Sequence, residues 1–341
     1  MSLDETTGQS FFAPAMIQFS IVRMSPPGIV KAISGLQGQL VVRGPGEPEL
    51  LERFFVLDDI DLDGDGSVRI APSLEDITLG RRGDTLLVNG RPPGAIRASA
   101  GAIERWRIVN TSNGRFFDLQ LAGIPLRVIG WDGGLISKPY DVERLRIAPG
   151  ERYDVVVDLD RSAGDSLVLQ TLEVPRGHDL VDPGPLELVR IELDDTTPAP
   201  GDLPSTGVTI APIVVSAQTV TRRFVLREDL GGPAGSLFFV NDERWPLNTH
   251  VPVPLGAVEI WEIVNDADSE HPVHVHGHFW QVLDRDGVPE TRLGWKDTVA
   301  IGPRSTVRAA LAYDEPGKWM FHCQITEHAE RGMTADVDVL P

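Results

Sequence analysis

The sequence predicts an all-β protein built from two copies of one β-sandwich, and three observations carry that prediction. Short runs rich in Val, Ile and Leu recur: RFFVLDD, DTLLVNG, ERWRIVN, PLRVIGW, YDVVVDL, SLVLQTL and LELVRIEL. Glycine (34) and proline (27) punctuate them, and strand-sized runs divided by turn residues are what a sandwich needs. No long stretch has helical periodicity. Finally, segments repeat in order. LLVNG with ERWRIVN returns as FFVND with EIWEIVN, so Trp106 pairs with Trp261 and Val88 with Val240, at offsets of 155 and 152. RVIGWDG then matches QVLDRDG, and APGERYDVVV matches IGPRSTVRAA.

The units follow in chain order. Residues 1–43 fit neither copy, and SGLQGQLVVRGPGE reads as the last strand of a preceding unit followed by a connector. The first copy is expected over 44–200 and the second over 201–341, joined by the Pro-, Thr- and Gly-rich DDTTPAPGDLPSTG. In the first copy, the stretch RFFDLQLAG (115–123) carries no histidine or cysteine, so that copy is expected to hold no metal and to act as scaffold.

Bulk properties exclude several functions. A chain of 341 residues with 41% hydrophobic content has room for two cores. The net charge of -19 repels phosphate backbones and anionic membrane surfaces, so nucleic acid is not an expected partner. No run of about 20 apolar residues offers a membrane span. MSLDETTGQS has neither a basic nor an apolar region of a signal peptide.

The chemistry concentrates in two stretches. HPVHVHGHFW (271–280) holds four of the eight histidines. Strand alternation places His274, His276 and His278 on one face and His271 at the opposite parity. The second stretch begins FHCQITEH and holds the lone cysteine, Cys323. A single cysteine excludes an intrachain disulfide; it is either a small buried hydrophobe or a ligating thiolate. Cys323, His328 five residues on and Met333 five further have the spacing of a blue-copper loop. A thiolate and two imidazoles make a trigonal plane with a weak axial thioether, and His271 supplies the second imidazole. Zinc competes, but the methionine argues against it, since structural zinc sites use Cys, His and carboxylates.

HPVHVHGHFW followed by GKWMFHCQITEHAERGM resembles the C-terminal domain of the multicopper oxidases, the laccase-like family. The family pattern is His-Pro-x-His-x-His, then His-Cys-His-x-x-x-His-x-x-x-x-Met. The resemblance runs from about residue 10 to the end. It implies tandem cupredoxin-like Greek-key β-sandwiches and copper as cofactor. His271, Cys323, His328 and Met333 match the type 1 copper ligands. His274 matches a type 2 ligand, and His276 and His322 match type 3 ligands of the trinuclear oxygen-reducing cluster. His322 and Cys323, pointing to opposite faces, would join the two centres by a short covalent path.

The pattern also fails in places. Gln324 stands at the second histidine of His-Cys-His, which removes a type 3 ligand. The family's first domain supplies further His-x-His pairs. The stretch matching one of them is TTGQSFFAPAM, where Ala13 and Ala15 replace the histidines. Three of eight cluster histidines are therefore matched. Two histories fit: an engineered or trimmed chain with its interface made more polar at Gln324 and Thr326, or a natural relative that no longer reduces oxygen. MSLDETTGQS, with no room for a first domain, favours the former.

The expected function is a type 1 copper protein, one copper per chain, passing single electrons from a small-molecule or protein donor. His328 is the expected electron-accepting edge, with four-electron oxygen reduction absent or very weak. The alternatives are an oxidase whose cluster is completed across subunits, and a copper-free structural relative. Family resemblance implies a periplasmic or secreted location; the oligomeric state is left open. DLDGDG (61–66) begins like a calcium loop, but Pro72 stands where a bidentate Glu is needed, so an acidic turn is expected. His178 and His250 read as isolated surface or loop residues.

Overall fold

The computed structural model describes residues 16–20, 37–44, 47–232, 235–247 and 250–341. The predicted all-β class holds. Every extended element is a strand, and the described residues contain two short helices, Leu74–Leu79 and Thr326–Glu330. The sequence reading missed both, because six and five residues are too few to show periodicity.

Four main sheets make two sandwiches. In the first, a six-stranded sheet runs Thr85–Val88, Leu51–Ile60, Ile103–Asn110, Arg152–Asp158, Leu126–Trp131, Gly134–Val142. In the second, the six-stranded sheet runs Gly235–Val240, Val220–Gly232, Val258–Asn265, Thr306–Ala312, Trp280–Arg285, Val288–Pro289. The repeat read from sequence maps strand for strand onto this order: Trp106 and Trp261 lie on equivalent strands, as do the RVIGWDG and QVLDRDG segments. In both sheets the second strand pairs parallel with the third and the remaining pairs are antiparallel.

The five-stranded sheets correspond too. Phe117–Leu121, without histidine, occupies in the first sandwich the place of His271–Val275 in the second. Alternation explains the filling: Phe117, Leu119 and Leu121 are buried in one core, and His271, Val273 and Val275 in the other. A buried asparagine closes each repeat. Asn110 Nδ2 donates to Arg115 O and Ile147 O. Asn265 Nδ2 donates to Ser269 O at 2.8 Å and Ile301 O at 3.0 Å. The second fixes the loop that leads into His271.

The sandwiches meet through buried charge. Arg152 is bidentate to Asp297, at 2.5 and 2.6 Å. Lys296 Nζ lies 3.0 Å from Asp132 and 3.2 Å from Glu151. Gly133 N donates to Trp295 O and Ser137 N to Leu293 O, both at 2.8 Å.

Near the start, Met16–Ser20 pairs antiparallel with Gln37–Val41, the segment read as a final strand. Ala13 and Ala15 lie outside the described residues. DLDGDG is an acidic turn: Asp61 pairs with Arg69, and Asp65 accepts from Ser67. No helix among the described residues is long and apolar enough to cross a membrane.

Candidate metal centre

Three ligand atoms converge in the second core. His271 ends the loop held by Asn265 and opens strand His271–Val275. Cys323 ends strand Gly317–Cys323, in register with Val273. His328 lies on helix Thr326–Glu330. All three are fully buried, with one ligand atom from each within 4.8 Å of the others. The two Nδ1 atoms are 3.1 Å apart, and Sγ of Cys323 lies 3.8 Å from one and 3.7 Å from the other.

The second nitrogen of each ring defines the tautomer. His328 Nε2 donates to Thr78 O at 3.0 Å, leaving Nδ1 as a lone pair aimed at the centre. His271 Nε2 lies 3.5 Å from Ser269 Oγ. Phe238 stacks on His328, with ring centroids 4.0 Å apart and planes 20° apart. Met333, fully buried in the same core, is tied by its backbone: Cys323 N donates to Met333 O and Met333 N to His328 O. Burial pushes His271 down to about 4 and His328 well below the usual imidazole range, and pushes the Cys323 thiol up. Neutral imidazoles are the ligating form. Two imidazole lone pairs and a sulfur converging in a dry pocket fit copper, the borderline-soft metal such a set selects.

A second group lies across the strand, where His322 is in register with His274. His276 Nε2 and His322 Nε2 are 2.9 Å apart, and the His274 ring centroid is 4.8 Å from that of His276. His274 Nδ1 donates to Asp297 O and His322 Nδ1 to Cys323 O, so each keeps its Nε2 lone pair. Burial pushes His276 down to about 4 and His322 to about 3.

Several expectations need correction. His278 does not share the face of His274 and His276. Its strand ends at Val275, and the chain turns at Gly277, whose φ is 72°. His278 packs between Tyr313 and Trp319 instead. His328 is not an open electron-accepting edge, because helix Leu74–Leu79 of the first sandwich covers its Nε2. Gln324 does not make an exposed face more polar. Its side chain lies against Gly150 of the other sandwich, where an added Cβ would come within 2.7 Å of Nε2. His178 and His250 are not isolated: His178 pairs with Glu228, and His250 with Asp338. Sequence reasoning also missed the Thr78 carbonyl, 250 residues from His328; no local motif marks such a contact.

Known proteins share this fold. Two profiles described as multicopper oxidase match residues 69–174 and 215–341. The chain is 26% identical to a laccase of Bacillus subtilis over 90% of its length and 67% of that protein's. It is 27% identical to a multicopper oxidase of Staphylococcus epidermidis, spanning about half (53%) of that relative. Among solved structures, McoA multicopper oxidase from Aquifex aeolicus superposes with a TM-score of 0.77 at 28% identity, covering 91% of this chain and 73% of that one. The multicopper oxidase of Campylobacter jejuni superposes at 0.83 with 23% identity over 96% of this chain and 72% of its own, a likeness of fold.

Proposed function

The chain belongs to the multicopper oxidase family, and from that premise we propose that it is a type 1 copper protein that transfers single electrons and does not by itself complete an oxygen-reducing cluster. One observation carries the reading: His271, His328 and Cys323 bring their ligand atoms within 4.8 Å of one another in a fully buried pocket. Copper held there would supply one-electron redox chemistry. The protein's part is to keep the pocket fixed and dry. Asn265 holds the loop before His271, the Thr78 carbonyl holds the His328 tautomer, and Phe238 packs on that ring. Pinned ligands limit rearrangement between oxidation states. Met333 is the candidate weak axial donor.

Across the strand, His274, His276 and His322 are three imidazoles where the family uses eight, and Gln324 turns toward Gly150. Gln324 in place of an imidazole supports weak or absent oxygen reduction by this chain alone. The Cys323–His322 peptide still joins the two groups covalently. A small-molecule or protein donor outside the cell membrane, in the periplasm or secreted, is part of the same proposal.

The test is to load the protein with copper, remove the excess, and record metal content, visible spectrum and EPR. About one copper per chain with an intense thiolate band, abolished by Cys323→Ser, supports the proposal. About four coppers with sustained oxygen consumption would replace it with a complete oxidase, assembled across subunits. No bound copper would replace it with a structural relative.

A further inference from the structure

Separate from the three candidate copper ligands, and linked to His271 through Ser269 Oγ, three side chains from separate segments meet at one point. His178 sits at the tip of the hairpin formed by Val174–Gly177 and Leu180–Asp182. Glu228 lies on strand Val220–Gly232 of the other sandwich, and Asp268 in the loop ahead of His271–Val275. One ligand atom from each lies within 4.8 Å of the other two. His178 Nε2 is 2.8 Å from Glu228 Oε1.

The meeting is built into the backbone. Gly177 has φ 92°, and an added Cβ there would come 1.9 Å from Asp268 O. Only glycine lets the hairpin press this closely on the opposite loop. Glu228 is held in turn: Oε1 accepts from Asp268 N at 2.9 Å, and Oε2 from Ser269 Oγ at 2.7 Å. Its side chain is 7% exposed and that of His178 25%, whereas Asp268 is 56% exposed. The group is thus fixed on the protein side and open to water on the Asp268 side. Arg304 engages Asp268 Oδ1 at 2.9 Å, and a carboxylate has a second oxygen to offer.

We propose that His178, Glu228 and Asp268 form a second metal site, distinct from the copper centre, for a late first-row divalent cation such as zinc. One imidazole nitrogen and two carboxylates suit such an ion, and water completes its coordination. The two negative charges, less the one on Arg304, favour a dication over an anion. Bound there, the ion clips the hairpin of the first sandwich to the second.

The competing reading of the same geometry is a plain His178–Glu228 ion pair. Zinc alone separates the two. Metal-free protein is titrated with zinc by calorimetry, with bound zinc counted after dialysis, for the parent, His178→Gly and Asp268→Asn. Glycine suits the φ of 50° at position 178, and Asp268 is on an exposed loop. Circular dichroism confirms that each variant is folded. Both variants are expected to lose one zinc per chain, or to bind it at least tenfold more weakly. Diffraction at the zinc absorption edge is expected to place an ion between the three side chains. Unchanged stoichiometry and affinity in both folded variants overturns the proposal, as does zinc found only among His271, Cys323 and His328 or among His274, His276 and His322.

Discussion

His328 Nε2 lies 3.0 Å from the carbonyl oxygen of Thr78, a hydrogen bond that spans 250 residues and joins the two sandwiches. One ring nitrogen of His328 thus faces the proposed copper position, and the other is capped by helix Leu74–Leu79. The helix depends on its own capping box: Ser73 Oγ accepts from Asp76 N at 3.1 Å, and Asp76 Oδ2 accepts from Ser73 N at 2.7 Å.

Removing the Ser73 hydroxyl tests whether that helix is the cover. Ser73→Ala costs about 1 kcal/mol of local helix stability. Amide exchange over residues 74–79 should quicken, and a bulky one-electron reductant should reduce the copper-loaded protein several-fold faster, with the visible band unchanged. Faster exchange without faster reduction would mean electrons arrive by another face.

Gly150 tests the contact between the sandwiches at Gln324. Its φ is 82°, and an added Cβ would sit 2.7 Å from the Gln324 amide nitrogen. Gly150→Ala should destabilise by about 1–3 kcal/mol in denaturant unfolding. In a Gln324→Ala background the cost should shrink to that of backbone strain alone, because the clashing partner is gone. Equal costs in both backgrounds would show that the side chain simply moves aside.

Lys296 is buried between Asp132 and Glu151. Lys296→Met removes the cation from Glu151 and leaves Asp132 with the Arg152 cation alone, 3.6 Å away, and truncating one partner of a buried pair costs about 3–5 kcal/mol. Chemical unfolding that moves by less than about 1 kcal/mol would contradict this account of the interface.

Asp58 gives the stability a pH dependence. Burial first, and the neighbouring Asp59 charge second, raise its carboxyl from 3.8 to about 7. The fold therefore keeps a proton that the unfolded chain has released. Its contribution is fully present below pH 3.8 and is lost as pH rises to about 7, at about 1.4 kcal/mol per unit. Asp58→Asn stays neutral throughout. It should match the parent near pH 4 and be the more stable protein at pH 7 and above, as read from unfolding curves across that range. A difference that does not vary with pH would show that Asp58 is ionised in the fold.

The local chemistry was legible in the sequence. Alternating apolar runs and turn residues specify strands, because side chains on a strand have period two. The repeated Trp106 and Trp261 segments specify two copies of one sheet. The short spacing of Cys323 and His328 was enough to place Sγ and Nδ1 3.7 Å apart, since one segment delivers both. Distant relationships were not legible. His278 follows the same alternating pattern as His274 and His276, yet a left-handed glycine at 277 sends it elsewhere, and pattern counting does not see a strand end. The Thr78 cap, the Gln324–Gly150 contact and the meeting of His178 with Glu228 and Asp268 all join segments far apart in the chain. They depend on how two sandwiches pack, and packing is set by the sum of many contacts that no single stretch of sequence contains.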